Sequence, residues 1–571
     1  MSGSAVVTVR RTSYPQVDPR AAGLMHRHLV VVSPGLTVAP AARLADRQRA
    51  RLVVVRIGAT WAAASRETLA RALALGLGRV PVSAILWDVS VEPSTASEVA
   101  VRHRLGPDRP FLLVGGPRGP EGVVFREPEA PVGLPLSVAR ELDRLPGRVG
   151  EILRTAGAHG DALGLPVAVV GGFVRDLLLD RADQRTDLDL VVEGRAATLA
   201  RALARGLGGE TLEHPVFLTA TVVLPDGRRV DLATARRESY RAPGALPDVE
   251  PASLAEDLAR RDFSLNALAI RLDRADWGQL VDTTGGLADL RARRIRVLHP
   301  LSFVEDPTRI LRAARFATRL GCQVDHTTRR LAAHAARLDV YRALSGDRLR
   351  TELELVLAER RPVAALREAG RLGAWSLVGG KASPGPEASR LLATALGPRA
   401  LDGLGPDAPV ALSLLALTEG STAVETWMDR LALAPARRDA IRQARRDAPG
   451  LVARLARVHG RAGAYGILQS VPELTVAWAR TLAGGAAAKS HLDRHLRSWR
   501  RLRALATGDD VAALGVSPGP AVGEILKALR AAQAAGHVRS RTGALRWLMG
   551  AVARGRGRGK ASLTRPGKGG G

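Results

Sequence analysis

The chain has 571 residues, which is too long for one ordinary hydrophobic core, so we expect about three or four domains. It carries 84 Lys and Arg against 56 Asp and Glu, a formal net charge of +28. This balance favours a polyanionic partner such as nucleic acid, although a compositional bias toward arginine would raise the charge in the same way. The single cysteine, Cys322, excludes a disulfide framework within the chain and a cysteine-based zinc site.

The sequence carries no sign of a membrane segment or of a secretion signal. Uninterrupted apolar runs stay short of the roughly 20 residues that span a bilayer. Residues Met1–Asp18 lack the apolar core of a signal peptide. We therefore expect a cytoplasmic protein without a membrane partner.

The first 130 residues contain a weak internal repeat. A strand–turn–helix–strand pattern runs from Val30–Pro34 to Leu52–Val55, and it returns from Val89–Pro93 to Phe111–Val114. This part of the chain resembles a CBS-domain pair. Such pairs often bind adenine nucleotides through a Thr/Ser-x-x-Asp, but the matching Ser65–Thr68 lacks the Asp. We therefore favour a packing or RNA-orienting role over regulatory nucleotide binding.

A proline-rich segment separates this repeat from the most informative region. Pro128–Pro135 reads as a linker, and a helix is predicted over Ser137–Gly157. The apolar run Val167–Val170 predicts a short buried strand, which leads into a second helix over Leu177–Asp180.

Two glycines, Gly171 and Gly172, lie between this strand and this helix. Glycines in such a turn let backbone amides approach a phosphate closely, and Arg175 could add a charge-assisted contact. Taken alone this turn is weak evidence, because most such turns only pack.

An Asp-x-Asp pair follows on the next predicted strand, Thr186–Val192. Side chains two apart on a strand share a face, so Asp187 and Asp189 should project together. Two like charges this close are costly unless a cation joins them, and magnesium suits carboxylate and phosphate oxygens. Without further context, a solvated pair at a strand edge would be the simpler interpretation.

Further motifs follow in order. Val230–Arg236 predicts a strand that places a third carboxylate, Asp231. The others are Glu238–Tyr240, Pro243–Pro247, Arg260–Ala267, Asp282–Leu290 and Ser302–Phe316, the last of which is predicted to open a long helix. Together with the Gly-Gly and Asp-x-Asp motifs, this set resembles the class II CCA-adding enzymes and bacterial poly(A) polymerases over roughly residues 160–360.

The resemblance implies an α+β fold: a nucleotidyltransferase head with a mixed β-sheet, preceded by the CBS-like α/β pair and followed by an all-α neck, body and tail. The expected domains are a CBS-like pair (1–130), a linker and helix (131–160), the catalytic head (161–285), a neck that binds the nucleotide base and RNA (286–375), an RNA-binding body and tail (376–553) and a disordered basic tail (554–571). No motif indicates the oligomeric state, and a dimer is possible.

The resemblance also assigns roles to the matching carboxylates. Asp187 and Asp189 would bind two Mg²⁺ ions, one activating the RNA 3′-hydroxyl and the other holding the triphosphate and the leaving pyrophosphate. Asp231 would complete the catalytic set, although some relatives carry Glu at this position.

The remaining roles concern the incoming nucleotide. The resemblance implies triphosphate contacts for Gly171, Gly172, Arg175 and Arg261, and a ribose contact for Asp262. Asp306 and Arg309 would read the base edge, because one accepts and the other donates hydrogen bonds. Arg312 and Arg315 continue this stripe, since steps of three residues drift only about 60° around a helix.

Three functions fit this pattern. The first is an enzyme that adds CCA, only CC or only A to tRNA from CTP and ATP, and the CBS-like fusion favours it. The second is a poly(A) polymerase, whose head motifs are nearly the same, so these motifs distinguish it poorly from the first. The third is a non-catalytic CBS-containing RNA sensor, against which the intact Asp187, Asp189 and Arg309 argue.

Overall fold

The computed structural model describes residues 21–106, 109–126, 136–145, 147–182, 187–338, 340–341, 343–380, 385–401 and 403–561. The predicted linker Pro128–Pro135, the segment Met1–Asp18 and Thr186 lie outside these residues. The chain forms two compact units, Met1–Glu352 with Glu359–Leu377 and Leu353–Ala358 with Val378–Gly571. Among the described helices, none is long and apolar enough to cross a membrane.

The N-terminal repeat region, residues 21–126, is built from short strands and helices. They are α1 (Ala21–Leu24), β1 (Leu29–Val32), α2 (Val38–Arg47), β2 (Leu52–Ile57), β3 (Thr60–Ser65), α3 (Arg66–Ala74), β4 (Trp87–Val89), β5 (Val91–Pro93), α4 (Glu98–Arg104), β6 (Phe111–Gly116) and β7 (Gly119–Phe125).

The two halves of this region repeat one topology. In the first half β1 is parallel to β2, which is antiparallel to β3. In the second half β5 is parallel to β6, which is antiparallel to β7. Val54 and Ala63 of the first half share one apolar cluster with Leu113 and Val123 of the second. The predicted internal repeat is therefore present, and its kinship with CBS domains remains a proposal.

The helix predicted over Ser137–Gly157 is in fact two helices, α5 (Ala139–Asp143) and α6 (Arg148–Leu163). The sequence has Pro146 between them, and a residue before proline is disfavoured in the α conformation. Gly147 adopts a φ of +64°, which also interrupts a helix.

A mixed seven-stranded sheet, here called the central sheet, follows. Its region contains β8 (Val167–Val170), α7 (Gly172–Leu178), β9 (Leu188–Val192), α8 (Ala196–Leu207), β10 (Glu210–His214), β11 (Thr219–Val223), β12 (Arg229–Thr234), β13 (Arg236–Ser239), β14 (Asp248–Pro251), α9 (Leu254–Ala259), β15 (Ala269–Arg271), β16 (Leu280–Val281) and α10 (Gly286–Arg291). The strand order is β10-β11-β12-β9-β8-β15-β16, and only β12 and β9 are parallel. The predicted α+β class with a mixed sheet is confirmed.

The predicted strand bounds are close but not identical to those observed. β8 coincides with the predicted buried strand, and all four of its residues are buried. The strand predicted over Val230–Arg236 divides into β12 and β13, which are separated by the buried Ala235. Asp187 lies immediately before β9 rather than within it.

Short helices and a two-stranded parallel sheet follow the central sheet. They are β17 (Arg294–Ile295), α11 (Ser302–Glu305), α12 (Arg309–Leu320), β18 (Gln323–Val324), α13 (His326–Arg337), α14 (Gly346–Leu357) and α15 (Pro362–Arg371). The long helix predicted from Ser302 is therefore interrupted. Asp306 precedes Pro307 and adopts an extended conformation with φ −134° and ψ 94°, as a residue before proline prefers.

The second unit is helical throughout its described part, as predicted. Its further helices are α16 (Pro386–Ala395), α17 (Pro398–Leu401), α18 (Ala408–Leu417), α19 (Val424–Arg430), α20 (Pro435–Arg457), α21 (Arg461–Leu468), α22 (Glu473–Leu482), α23 (Ala486–Arg497), α24 (Gly508–Ala512), α25 (Pro520–Ala535) and α26 (Arg541–Ala561). The tail was predicted to be disordered from Arg554, but α26 continues past this residue and ends at Ala561. Residues 562–571 lie outside the described residues.

Candidate active site

Two aspartates meet across the central sheet. Asp189 on β9 and Asp231 on β12 are paired residues in the parallel register of these strands. On the other side of β9, the residue opposite Asp189 is Val170, the last residue of β8. The sheet therefore brings the predicted carboxylates together beside the end of β8, where the Gly171–Gly172 turn begins.

These carboxylates repel one another. The surrounding protein raises the pKa of Asp189 by desolvation, and nearby Asp231 and Asp187 raise it as well, whereas Arg261 lowers it. Thr221 donates from Oγ1 to Asp231 Oδ1 at 2.6 Å, which fixes that carboxylate. Like charges held so close favour a bound cation among them.

The donor set fits a hard divalent cation, which prefers oxygen ligands. Within the part of the chain that the structure describes, no group of three or more His, Cys, Asp and Glu side chains could hold a metal ion by itself. An ion at Asp187 and Asp189 would complete its coordination with water and substrate phosphate, as is common for Mg²⁺.

The glycine turn approaches this cluster closely. Gly171 adopts a φ of +71°, a conformation that favours glycine. A Cβ built there would lie 3.1 Å from Arg261 Nη1 and 3.9 Å from Asp189 Oδ2. Helix α7 starts at Gly172 directly after the turn, earlier than the predicted start at Leu177. Gly171 is therefore favoured by its backbone conformation, and a side chain there would press on the Arg261 guanidinium.

Arg261 is fixed by a buried carboxylate that the sequence did not single out. Asp257 on α9 is fully buried, and its carboxylate accepts hydrogen bonds from Arg261 Nη2 at 2.9 Å and from Arg260 Nη2 at 2.6 Å. Burial alone would raise the pKa of Asp257, but Arg261 and Arg260 outweigh it and hold that pKa below its usual value. Arg260 also donates from Nη1 to Glu238 at 2.7 Å. Asp257 lies three residues before Arg260 and four before Arg261, a spacing that brings side chains together on a helix, so the sequence does carry a signal for these contacts.

Arg175 is engaged mainly with the protein. It is buried, and its guanidinium forms two parallel hydrogen bonds with Asp176 at 2.8 and 2.9 Å. Its Nη1 donates to Asn266 Oδ1 at 2.8 Å. Arg175 therefore braces the wall of the cleft, in addition to any contact with a triphosphate.

Asp262 and Arg312 form a second buried pair. Asp262 Oδ2 accepts Arg312 Nε at 3.0 Å and Nη2 at 2.8 Å, and its Oδ1 accepts Asn266 Nδ2 at 3.0 Å. Burial opposes ionisation of Asp262, yet Arg312 and these hydrogen bonds keep its pKa below the usual value. Arg312 Nη1 also donates to Glu352 at 3.0 Å. Arg312 thus links the central sheet region to α14.

Of the predicted base readers, Asp306 directly follows α11, and Arg309 is the first residue of α12. Asp306 Oδ1 accepts Thr308 Oγ1 at 2.6 Å and faces Arg348 Nη2 at 3.0 Å. Arg309 is buried and donates to Ser302 Oγ at 2.7 Å and to the Arg260 carbonyl at 3.1 Å. Both side chains are held in place by the protein before any nucleotide arrives.

One aromatic ring supports three arginines. Phe316 lies 5.1 Å from the guanidinium carbon of Arg315 and 5.5 Å from those of Arg175 and Arg312. A guanidinium within about 6 Å of a ring centroid is attracted to the ring face. The arginine stripe predicted on this helix is therefore organised around Phe316 rather than being a solvated face.

All of these groups line one cleft of about 880 Å³. Every predicted site residue lies on its walls: Gly171, Gly172, Arg175, Asp187, Asp189, Asp231, Arg261, Asp262, Asp306, Arg309, Arg312 and Arg315. The cleft also includes residues to which no role was assigned: Arg181, Arg260, Asn266 and Arg319. A cleft that combines the carboxylates of Asp187, Asp189 and Asp231 with several guanidinium groups suits a triphosphate accompanied by a cation.

Known proteins share both the sequence and the fold of this region. A family model described as the poly A polymerase head domain matches residues 167–296. The chain is 37% identical over 378 residues to the A-adding tRNA nucleotidyltransferase of Geobacter sulfurreducens, a match that covers 62% of this chain and 43% of that protein. The chain thus spans less than half the length of this relative.

Two further proteins are matched over most or all of their length. The CC-adding tRNA nucleotidyltransferase of Deinococcus radiodurans is 37% identical over 376 residues, which is 66% of this chain and 86% of that protein. The Thermotoga maritima CCA-adding enzyme, solved in complex with tRNA, matches with a TM-score of 0.60 and 30% identity over 74% of this chain and the whole of that one.

Proposed function

The chain belongs to the class II tRNA nucleotidyltransferase family, and on this premise we propose that it extends the 3′ end of tRNA with nucleotides from CTP or ATP, releasing pyrophosphate. The register pairing of Asp189 with Asp231, beside the Gly171 turn and in an arginine-lined cleft, is the observation that carries this proposal. The relatives named above act on tRNA, and CCA-adding enzymes have been solved with CTP and with ATP.

We propose that divalent cations bind at Asp187 and Asp189, and that the ion is Mg²⁺. When bound, such ions supply Lewis-acid stabilisation of the charge that develops on the reacting oxygens. The raised pKa of Asp189 supports the assignment, because a cation would relieve the repulsion that contributes to it. Asp231, fixed by Thr221, completes the acidic wall.

The remaining residues would bind and orient the nucleotide. Arg261 would bind the triphosphate, and its contacts with Asp257 beside the glycine turn support this role. Arg175, which is oriented by its hydrogen bonds to Asp176, would add a positive charge near the triphosphate. Fixed donors of this kind stabilise phosphoryl-transfer transition states without having to reorganise during the reaction.

Asp262 is our proposed ribose contact, and the structure gives it a second task. It anchors Arg312, which in turn contacts Glu352. Asp306 and Arg309 would present an acceptor and donors to the base edge, so that the protein substitutes for a template. Their contacts with Thr308 and Ser302 would fix this pattern in advance.

The helical second unit would bind the tRNA. The chain has few aromatic residues, 3% of the total, so its binding would depend on arginine contacts to phosphates and on duplex shape. We also propose that the enzyme works in the cytoplasm, in keeping with its single cysteine.

Release of pyrophosphate tests the proposal. With CTP and ATP present, release should require both a tRNA transcript that lacks its 3′ end and a divalent cation. Absence of release under these conditions would overturn it. Because the matched family model is named for poly(A) polymerases, a second candidate is poly(A) addition, for which unrelated RNA would support release equally well.

A further inference from the structure

Helix α3 of the N-terminal repeat region contacts the segment that carries the proposed base readers. Arg71 Nη2 donates to Glu305 Oε2 at 2.9 Å, and its Nε contacts the other carboxylate oxygen. Glu305 is 1% exposed, and it is the residue directly before Asp306. Arg71 and Glu305 are separated by 234 positions in the sequence.

Glu305 lies in a small buried cluster of ionisable groups. Its side chain approaches His299 Nε2 at 3.4 Å, and Arg309 and Glu238 also act on it electrostatically. Burial, with Arg71 and Arg309 adding to its effect, keeps the pKa of His299 well below its usual value, which favours the neutral ring. The ionised form of Glu305 therefore depends on Arg71 and Arg309.

A second contact fixes the repeat region against the same part of the molecule. Asp88 on β4 accepts Thr327 Oγ1 at 2.8 Å and pairs with Arg330 Nη2 at 2.7 Å. Arg330 also donates to the Leu86 carbonyl at 2.7 Å. Because two separate contacts hold the repeat region to α11 and α13, Arg71 is presented to Glu305 in a defined position.

We propose that Arg71 is a positioning residue for nucleotide selection, acting through Glu305 on the adjoining Asp306 and Arg309. The N-terminal repeat region thus contributes to selection of the incoming base, because Arg71 on its α3 forms an ion pair with Glu305, the residue next to Asp306. This inference rests on the proposed function, because it assumes that Asp306 and Arg309 face the nucleotide base.

The test compares three variants of the full chain: Arg71→Gln, Arg71→Lys and Arg66→Gln. Arg66 lies on the same helix and pairs with Asp46 at the surface, so its variant is a matched control. For each, kcat and KM are measured with CTP, ATP, GTP and UTP on tRNA transcripts. In Arg71→Gln, kcat/KM for the preferred nucleotide should fall about tenfold to a hundredfold, since small misplacements of positioning groups have effects of this size.

Two readouts separate positioning from simple loss of stability. Selectivity, the kcat/KM for the correct nucleotide divided by that for an incorrect one, should fall in Arg71→Gln and stay unchanged in Arg66→Gln. Burial raises the pKa of Glu305 to about 6, although Arg71 and Arg309 oppose this rise, so activity of the unaltered chain should decline as the pH falls through that value. Because Arg71 lowers this pKa, the decline in Arg71→Gln should begin at a higher pH, and Arg71→Lys should partly restore it.

Each outcome decides something. Suppose that the unaltered chain adds nucleotides and that Arg71→Gln has the same selectivity and the same pH profile. This result would overturn the inference and leave the proposed function standing. An unaltered chain that adds no nucleotide to any tRNA would overturn the proposed function and, with it, the inference. A uniform loss of activity at constant selectivity, accompanied by a lower melting temperature, would show a structural role only.

Discussion

Asp189 and Asp231 lie directly opposite each other on the only parallel strand pair of the central sheet. In sequence they are far apart, yet the register makes them neighbours across a single inter-strand spacing. Their mutual repulsion is a cost to the folded protein, and a site that retains such a cost is a candidate for function.

The first prediction concerns this pair. Asp189→Asn should reduce nucleotide addition by about a thousandfold, because charge stabilisation of a transition state is often of that size. The melting temperature in metal-free buffer should stay equal or rise, since the variant removes a carboxylate whose pKa is raised by burial and by Asp231. Asp226→Asn in the β11–β12 turn serves as the control. Full activity of Asp189→Asn would refute the metal assignment.

A second prediction concerns the glycine turn, with Gly164→Ala as the comparison. Gly164 lies in the left-handed helical region (φ +65°, ψ 30°), so alanine there should destabilise the protein by about 1 kcal/mol. Gly171 combines φ +71° with ψ −127°, a region that is close to exclusive to glycine, so Gly171→Ala should destabilise the protein more than Gly164→Ala. Only at position 171 does the new Cβ approach Arg261, whereas at position 164 nothing lies within 4 Å. Activity per folded molecule should therefore fall only in Gly171→Ala, and equal activities would contradict the proposed role of this turn.

The buried carboxylate Asp257 should control stability in a pH-dependent way. The pKa of Asp257 is held below 3.8, its unperturbed value, so its stabilisation is present above that value and is lost as the pH falls through the folded-state pKa. Asp257→Asn should therefore lower the melting temperature clearly at pH 7. The difference from the unaltered chain should shrink below about pH 4, and a difference independent of pH would contradict this account.

The contact of Arg312 with Asp262 and Glu352 should be specific for arginine. Lysine retains the charge but cannot bond to both carboxylates with a planar fork. Arg312→Lys should raise KM for the nucleotide. A double-mutant cycle of Arg312→Lys with Glu352→Gln, measured as free energies of unfolding, should show a coupling energy of about 1 kcal/mol or more. Strict additivity would indicate that the Arg312–Glu352 contact contributes nothing.

Much of the fold and of the site could be predicted from the sequence because their signals are local. The buried run Val167–Val170 predicts a strand, and the alternation of side chains places Asp189 on one face. The glycine turn and the arginine stripe are also readable from short segments. The predicted site residues all line one cleft.

Most of the features that were missed depend on contacts between distant positions. Glu352 contacts Arg312 from α14, and Arg71 reaches Glu305 from another region of the chain. No periodicity or motif encodes these two pairs. Asp257 is the exception, because it lies four residues before Arg261, a spacing that brings side chains together on a helix. The differences in helix bounds have local causes. Asp306 precedes Pro307 and is extended, and Gly147 has a positive φ, so the backbone interrupts the helical pattern at both positions.

The central claim, addition of nucleotides to tRNA 3′ ends, is tested most directly by sequencing extended transcripts. Three tRNA transcripts, lacking CCA, ending in C and ending in CC, are incubated with CTP, ATP and Mg²⁺. The account predicts that at least one gains the next residues of the CCA sequence and then stops, and the pattern shows whether the chain adds CCA, CC or A. Long A tracts on unrelated RNA, or no extension of any transcript, would contradict it.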